Sequence, residues 1–193
     1  MPDFQKGQYM SKIILASKSP RRIELLKMCN INFNSLVADI DEDLIKSDIL
    51  ATFKEENTFE QAEILTKKLA YEKALYIYKE NPDHLVIGSD TLVVTDKSIL
   101  GKPKDPQDAY IMLRELSGQV HRIYTGVSII GPGYENTFVS IAQVKFYDFD
   151  PAMDQIIIDY IASGSSMDKA GGYGIQDMGA LLVEHIEGDY YTI

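Results

Sequence analysis

Cysteine is almost absent from this chain: Cys29 is the only one in 193 residues. No intrachain disulfide can form, and the usage suits a reducing, cytoplasmic setting. No apolar run approaches the length of a membrane span, so no membrane partner is expected. The first residues, through Tyr9, have no apolar stretch of the kind a signal peptide needs. They read as a flexible N-terminal extension over residues 1–11. Basic residues are scarce, 19 against 29 acidic, for a formal net charge of -10. That balance argues against a nucleic-acid partner, which rewards a basic surface, and no aromatic–basic stripe marks single-strand binding. It leaves room for a small anionic ligand, which a few local cations satisfy. Low-complexity tracts and internal repeats are also missing. The remaining expectation is a single globular domain over 1–193, long enough to bury a core.

What is present begins with Ser17-Lys18-Ser19-Pro20-Arg21-Arg22. Ile13, Ile14, Leu15 and Ala16 before it read as a short buried strand. Ser19 suits a helix N-cap and Pro20 the first helical position, where a missing N–H costs nothing. Ile23, Leu25 and Leu26 carry the helix. Free N–H groups and the positive end of the helix dipole favour an anion there. Two guanidiniums add forked donors suited to phosphate oxygens. The competing reading is an ordinary capped helix with two solvated arginines.

Further along, strands and helices alternate. Phe33, Leu36 and Val37 suggest a short strand, and Asp39-Ile40-Asp41-Glu42-Asp43 reads by itself as a solvated acidic loop. A long helix is expected from near Thr58 to about Lys79, with Thr58 and Gln61 at capping-box spacing. Ala62, Leu65, Leu69 and Tyr76 mark its buried face, and Lys73 falls on that same face. An ammonium in an apolar stripe either snorkels out or points at an anion. Leu85-Val86-Ile87-Gly88 is the strongest strand, and Leu92-Val93-Val94 a second apolar run. Asp90 sits between them, so it needs hydrogen bonds, a cation or a metal. Asp96-Lys97-Ser98 reads as a hairpin turn that brings Lys102 back near Asp90. Asp105 with Pro106 opens a helix that ends at Gly118. Val120–Ile130 and Thr137–Phe149 read as an antiparallel pair joined at Gly131-Pro132-Gly133. Asp150 with Pro151 opens another helix, ending at Gly164. Asp168-Lys169-Ala170-Gly171-Gly172-Tyr173-Gly174-Ile175-Gln176 is a glycine-rich loop, and Ala180–Val183 reads as the last strand.

Several of these stretches, in order, resemble the Maf family of nucleotide pyrophosphatases. They are Leu15–Arg22 with Glu24-Leu25-Leu26, Asp41-Glu42, Glu72-Lys73-Ala74, Val86–Thr91 and Leu100-Gly101-Lys102-Pro103. Leu116-Ser117-Gly118 with Tyr124-Thr125-Gly126-Val127, then Asp168–Gln176 and Val183–Gly188, complete the set. Two departures stand out. The family usually has Gly-Ala-Asp where this chain has Gly88-Ser89-Asp90. It also usually continues with an Asn-Val-Val-Gly-Leu-Pro-like segment and a helix, where this chain reads Asp189–Ile193.

The resemblance implies an α/β fold, with a bent mixed β-sheet flanked by helices and a deep central cleft, like that of inosine triphosphate pyrophosphatase. It implies hydrolysis of a nucleoside triphosphate between the α- and β-phosphates, with magnesium or manganese as divalent cation, and it suggests a homodimer. Hard cations prefer oxygen ligands, which makes Glu42 and Asp90 the metal candidates. Asp90 is also the candidate general base. Arg21, Arg22, Lys73, Lys102 and Lys169 would neutralise the triphosphate, Ser17 would bind phosphate oxygens, and Gln176 would orient the water or read the base. The Ser-Pro-Arg-Arg form resembles the subgroup acting on dTTP and UTP, with removal of modified pyrimidine nucleotides as the expected duty. The alternatives are a 7-methyl-GTP or inosine triphosphate pyrophosphatase, and a nucleotide-binding regulator of cell division with little catalysis.

Overall fold

The computed structural model describes residues 13–193, so the extension expected over 1–11 lies outside the described residues. Seven strands form one mixed sheet: β1 (Ile13–Ala16), β2 (Asn34–Ser35), β3 (Leu85–Val94), β4 (Ile99–Leu100), β5 (Val120–Gly131), β6 (Tyr134–Phe146) and β7 (Val183–Glu187). Five helices accompany it: α1 (Pro20–Met28), α2 (Glu42–Thr52), α3 (Thr58–Glu80), α4 (Pro106–Leu116) and α5 (Pro151–Ala162). The strand order is β2-β1-β3-β5-β6-β7, with β4 paired to β3 off that path. β1 runs parallel to β2 and β3, and the pairs from β3 through β5 and β6 to β7 are antiparallel. The α/β reading of the sequence is thus what the chain forms.

Alternation along the strands places one helix set on each face. Val86, Leu92 and Val94 of β3 and Tyr124 of β5 pack with Ala62, Leu65, Leu69, Ala74 and Ile77 of α3. Val93 and Ile123 look the other way. They join Val144, Phe146, Leu113, Leu116, Ile157 and Tyr160 in a core shared with α4 and α5. The helix starts follow local chemistry. Asp105 accepts from Asp108 N–H at 2.8 Å and Asp150 from Met153 N–H at 2.7 Å, each with proline at the first position. Gly118 and Gly164, past the ends of α4 and α5, both have positive φ.

Five local readings need correction. The acidic run after Ile40 is not simply a loop, because Asp41 caps α2 by accepting from Leu44 N–H at 2.8 Å. The capping box of α3 is Asn57 with Glu60, one residue earlier than the Thr58 and Gln61 spacing implied, and Tyr76 is exposed. Ser19 stands at the N-cap of α1 but makes no side-chain cap bond, and α1 has no fully buried residue. Residues Met178–Leu182 form a 3-10 turn, and the last strand starts where the expected one ended, at Val183.

Candidate active site

The apolar runs on either side of Asp90 suggest a position between two strands. Asp90 lies inside one, near the middle of β3, paired across to Gly126 of β5. Its side chain shares the face of Gly88 and Leu92, beneath α3. α3 approaches closely because Gly88 and Gly126 have no side chains. A Cβ on Gly88 would come within 2.2 Å of the Ala70 carbonyl oxygen, and one on Gly126 within 2.5 Å of the Thr66 carbonyl oxygen. Ala74 is buried at the same contact, and Lys73 beside it reaches Asp90. Lys73 Nζ donates to Asp90 Oδ1 at 2.6 Å and lies 3.0 Å from Glu42 Oε1. The Lys73 and Asp90 side chains are each 12% exposed and Glu42 54% exposed, so an inner acid–ammonium pair meets solvent through an outer carboxylate. Two buried charges in hydrogen-bonded contact satisfy each other where either alone would be costly.

A second group forms where β1 stops. β1 ends at Ala16, opposite Gly88, while β3 continues. Arg22 from the first turns of α1 fills the space beyond. Its Nη1 donates to the Ser89 carbonyl at 2.8 Å and to Ser17 Oγ at 3.3 Å, and its Nη2 to Thr91 Oγ1 at 3.0 Å. Ser17 Oγ also accepts from Ser19 N–H at 3.1 Å, so this hydroxyl organises the turn into α1. Burial pulls the Arg22 pKa below its ordinary value, against the opposing pull of the Asp90 charge. Arg22 therefore grips the residues on both sides of Asp90, and Ser17, Arg22, Asp90, Lys73 and Glu42 form one neighbourhood.

The glycine-rich loop lies beside α1. Arg21 Nη1 is 3.8 Å from Asp168 Oδ2. Lys169 is buried and committed to its own loop: Nζ lies 3.0 Å from Asp168 Oδ1 and 3.2 Å from Asp177 Oδ2, and donates to the Ser165 carbonyl. Burial pushes the Asp177 carboxyl up, but hydrogen bonds from Ser165 and Gly179 and the Lys169 charge bring it below its usual value. Gln176 is exposed and donates to the Ile193 carbonyl at 2.8 Å. Lys102 is exposed, two residues past the end of β4, and pairs with no acidic side chain among the described residues. Gly171 N–H donates to the Gly101 carbonyl at 2.9 Å, so the loop and Lys102 are neighbours. Ser89, Thr91, Asp168 and Asp177 were not singled out from the sequence as site residues. The signal for Ser89, Thr91 and Asp168 is their place within the motifs noted above; Asp177 falls one residue past the glycine-rich segment, and no motif marks it.

His121 underpins the loop from the core. Its Nε2 is 2.7 Å from the Tyr173 hydroxyl, with the Phe146 ring edge-on. Burial lowers its pKa to about 4, so it is neutral at neutral pH. Among the described residues no group of three or more His, Cys, Asp or Glu side chains is placed to hold a metal ion alone. Glu42 and Asp90, on either side of one ammonium, suit instead a hard cation that takes one or two carboxylates and completes its shell with phosphate and water oxygens.

The fold and these side chains define an α/β protein with an acid–ammonium–acid cluster beside a guanidinium-gripped helix start. The chain belongs to the Maf-like protein family, whose model matches residues 12–193. A Geobacillus protein is 45% identical over 184 residues, covering 95% of this chain and 91% of its own length. A Thermosipho africanus protein is 44% identical over 182 residues, covering 94% and 85%. A Bacillus cereus protein is 39% identical over 189 residues, covering 98% and 86%. Each of the three is named dTTP/UTP pyrophosphatase.

Proposed function

We propose that this protein is a nucleoside triphosphate pyrophosphatase that hydrolyses dTTP and UTP, and modified pyrimidine nucleotides, to the monophosphate and pyrophosphate. The buried Asp90–Lys73 pair beside Arg22 carries the chemistry of this reading, and the relatives' shared name supports the substrate. Cleaving a phosphoanhydride is mainly positioning and charge neutralisation. Asp90 takes the proton of the attacking water as its oxygen bonds to phosphorus and the bridging P–O bond between α- and β-phosphate breaks. Lys73 holds the Asp90 carboxylate in place and, with Arg21, Arg22 and Lys102, balances the triphosphate charge. Ser17 and N–H groups at the start of α1 receive phosphate oxygens. Lys169 reaches a phosphate only by exchanging one of its loop carboxylates for it, and Gln176 orients the water or reads the base. Glu42 and Asp90 would hold magnesium or manganese, which supplies further charge neutralisation when bound. The reading places a homodimer in the cytoplasm, without nucleic-acid or membrane partners. No described helix is long and apolar enough to cross a membrane.

A substrate panel tests this. Pyrophosphate release from dTTP, UTP, 7-methyl-GTP and ITP is compared with magnesium and with manganese. Preference for dTTP or UTP supports the proposal. Preference for a purine nucleotide keeps the reaction and replaces the substrate. Tight nucleotide binding without release favours a regulator of cell division.

A further inference from the structure

On the sheet face away from Lys73, a row of hydroxyls crosses three strands. Thr91 of β3 pairs with Thr125 of β5, and Thr125 with Ser140 of β6, so the three side chains stand side by side. Thr91 Oγ1 and Thr125 Oγ1 are 2.9 Å apart. Thr125 Oγ1 is 2.6 Å from the Thr192 carbonyl, and Ser140 Oγ is 2.6 Å from Thr192 Oγ1. Thr192 is buried in the turn Tyr190–Thr192.

The direction of every bond between Arg22 and Thr192 follows from donor counting. A carbonyl only accepts, so the Thr125 proton goes to Thr192. Thr125 then has no proton left for Thr91 and must accept from it. Thr91, its proton used, presents a lone pair, and Arg22 Nη2 donates to it at 3.0 Å. The row therefore has one polarity, guanidinium to Thr91 to Thr125 to carbonyl, and each bond strengthens the next. Arg22 has five N–H donors; Nη1 uses two, on Ser17 and Ser89, and Nη2 one, on Thr91. Nε–H and one Nη2–H have no partner among the described residues, in a group that burial already destabilises as a cation.

We propose that Thr91 and Thr125 are positioning residues that fix the Arg22 guanidinium so that its two remaining donors meet the nucleotide's phosphates. This rests on the reading of Arg22 as a phosphate ligand. Thr125 touches no substrate; it acts by forcing Thr91 to present an acceptor. Without the Thr125 hydroxyl, the Thr91 proton loses its acceptor in the row, the Thr91 hydroxyl is no longer held or polarised, and its hold on Arg22 weakens.

The test is a double-mutant cycle on Thr125→Val and Arg22→Ala, with Thr125→Ser as rescue. Two readouts are taken: kcat/KM for dTTP, and affinity for inorganic tripolyphosphate, which needs no turnover. Thr125→Val is expected to lose about tenfold in both, the scale of one hydrogen bond to a charged group. Thr125→Ser recovers most of the loss, and in the Arg22→Ala background Thr125→Val adds little. An equal loss in both backgrounds, or none in either readout, overturns the proposal, because Thr125 would then act only on packing or not at all. If the wild type cleaves no nucleotide yet tripolyphosphate affinity shows the expected coupling, the positioning role stands and the proposed function falls. If Arg22→Ala changes neither readout, Arg22 is not a phosphate ligand and both fall for that residue.

Discussion

Gly88→Ala connects the packing of this protein directly to its site. A Cβ at Gly88 would lie 2.2 Å from the Ala70 carbonyl oxygen, 2.7 Å from Ala74 N and 2.9 Å from Ala74 Cβ. Two of these atoms are backbone, so no rotamer change relieves the clash. α3 must retreat by about 1 Å to restore ordinary separation, against a close-packed interior. Overpacking of this kind costs about 1–3 kcal/mol, and a rigid backbone neighbour puts this case near the top of that range. At about 2–4 °C per kcal/mol for a domain of this size, the melting temperature should fall by about 6–12 °C. The same retreat carries Lys73 away from Asp90, stretching a 2.6 Å contact past hydrogen-bond reach. Turnover of dTTP at 20 °C, far below the melting point, should therefore drop by about tenfold or more. Gly101→Ala is the control for stability, since nothing lies within 4 Å of its added Cβ. Thermal melts by circular dichroism and steady-state kinetics read both effects. A Gly88→Ala protein that melts within about 2 °C of wild type and turns over normally would refute the claim that α3 is seated this closely on β3.

Three further outcomes are expected. Lys73→Ala leaves the buried Asp90 without its cation; nucleotide use should weaken while the protein remains folded, and a large melting shift with unchanged kinetics would make Lys73 purely structural. His121 has a folded pKa of about 4 against an ordinary 6.5, so on acidification the unfolded chain binds the proton first. Stability should fall as pH drops from about 6.5 to about 4, by up to about 3 kcal/mol, and level off below; a His121→Gln protein whose denaturation midpoints keep the same pH slope would contradict this. Chelation of divalent cations should abolish pyrophosphate release, with magnesium or manganese restoring it, and undiminished release in excess chelator would remove the metal from the reading of Glu42 and Asp90.

Much of this was legible because charge and pattern conflicted locally. Lys73 on an apolar stripe and Asp90 between apolar runs each demanded a partner, and the fold pairs them. Pro106 and Pro151 behind aspartates marked helix starts, and Gly131-Pro132-Gly133 marked the β5–β6 turn. Other features were hidden for physical reasons. Asp90 resembled a strand end because an isolated acid inside a strand makes sense only once α3 is seen to supply an ammonium. α2 buries no residue completely, so it left no clear apolar period after its acidic cap. Lys169 reads from the sequence as a phosphate ligand because one of its two carboxylate partners, Asp177, lies eight residues along, where loop curvature rather than helical spacing sets the contact. The Thr91–Thr125 bond depends on the register of β3 against β5, 34 residues apart, which local patterning does not encode.

In the proposed function, Asp90 drives cleavage between the α- and β-phosphates. The most direct measurement is product analysis of dTTP incubated with wild type and with Asp90→Asn. The wild type should yield dTMP and pyrophosphate, and Asp90→Asn should be about 10²–10⁴-fold slower while still folding and binding nucleotide. Production of dTDP and orthophosphate, or undiminished turnover in the variant, would contradict it.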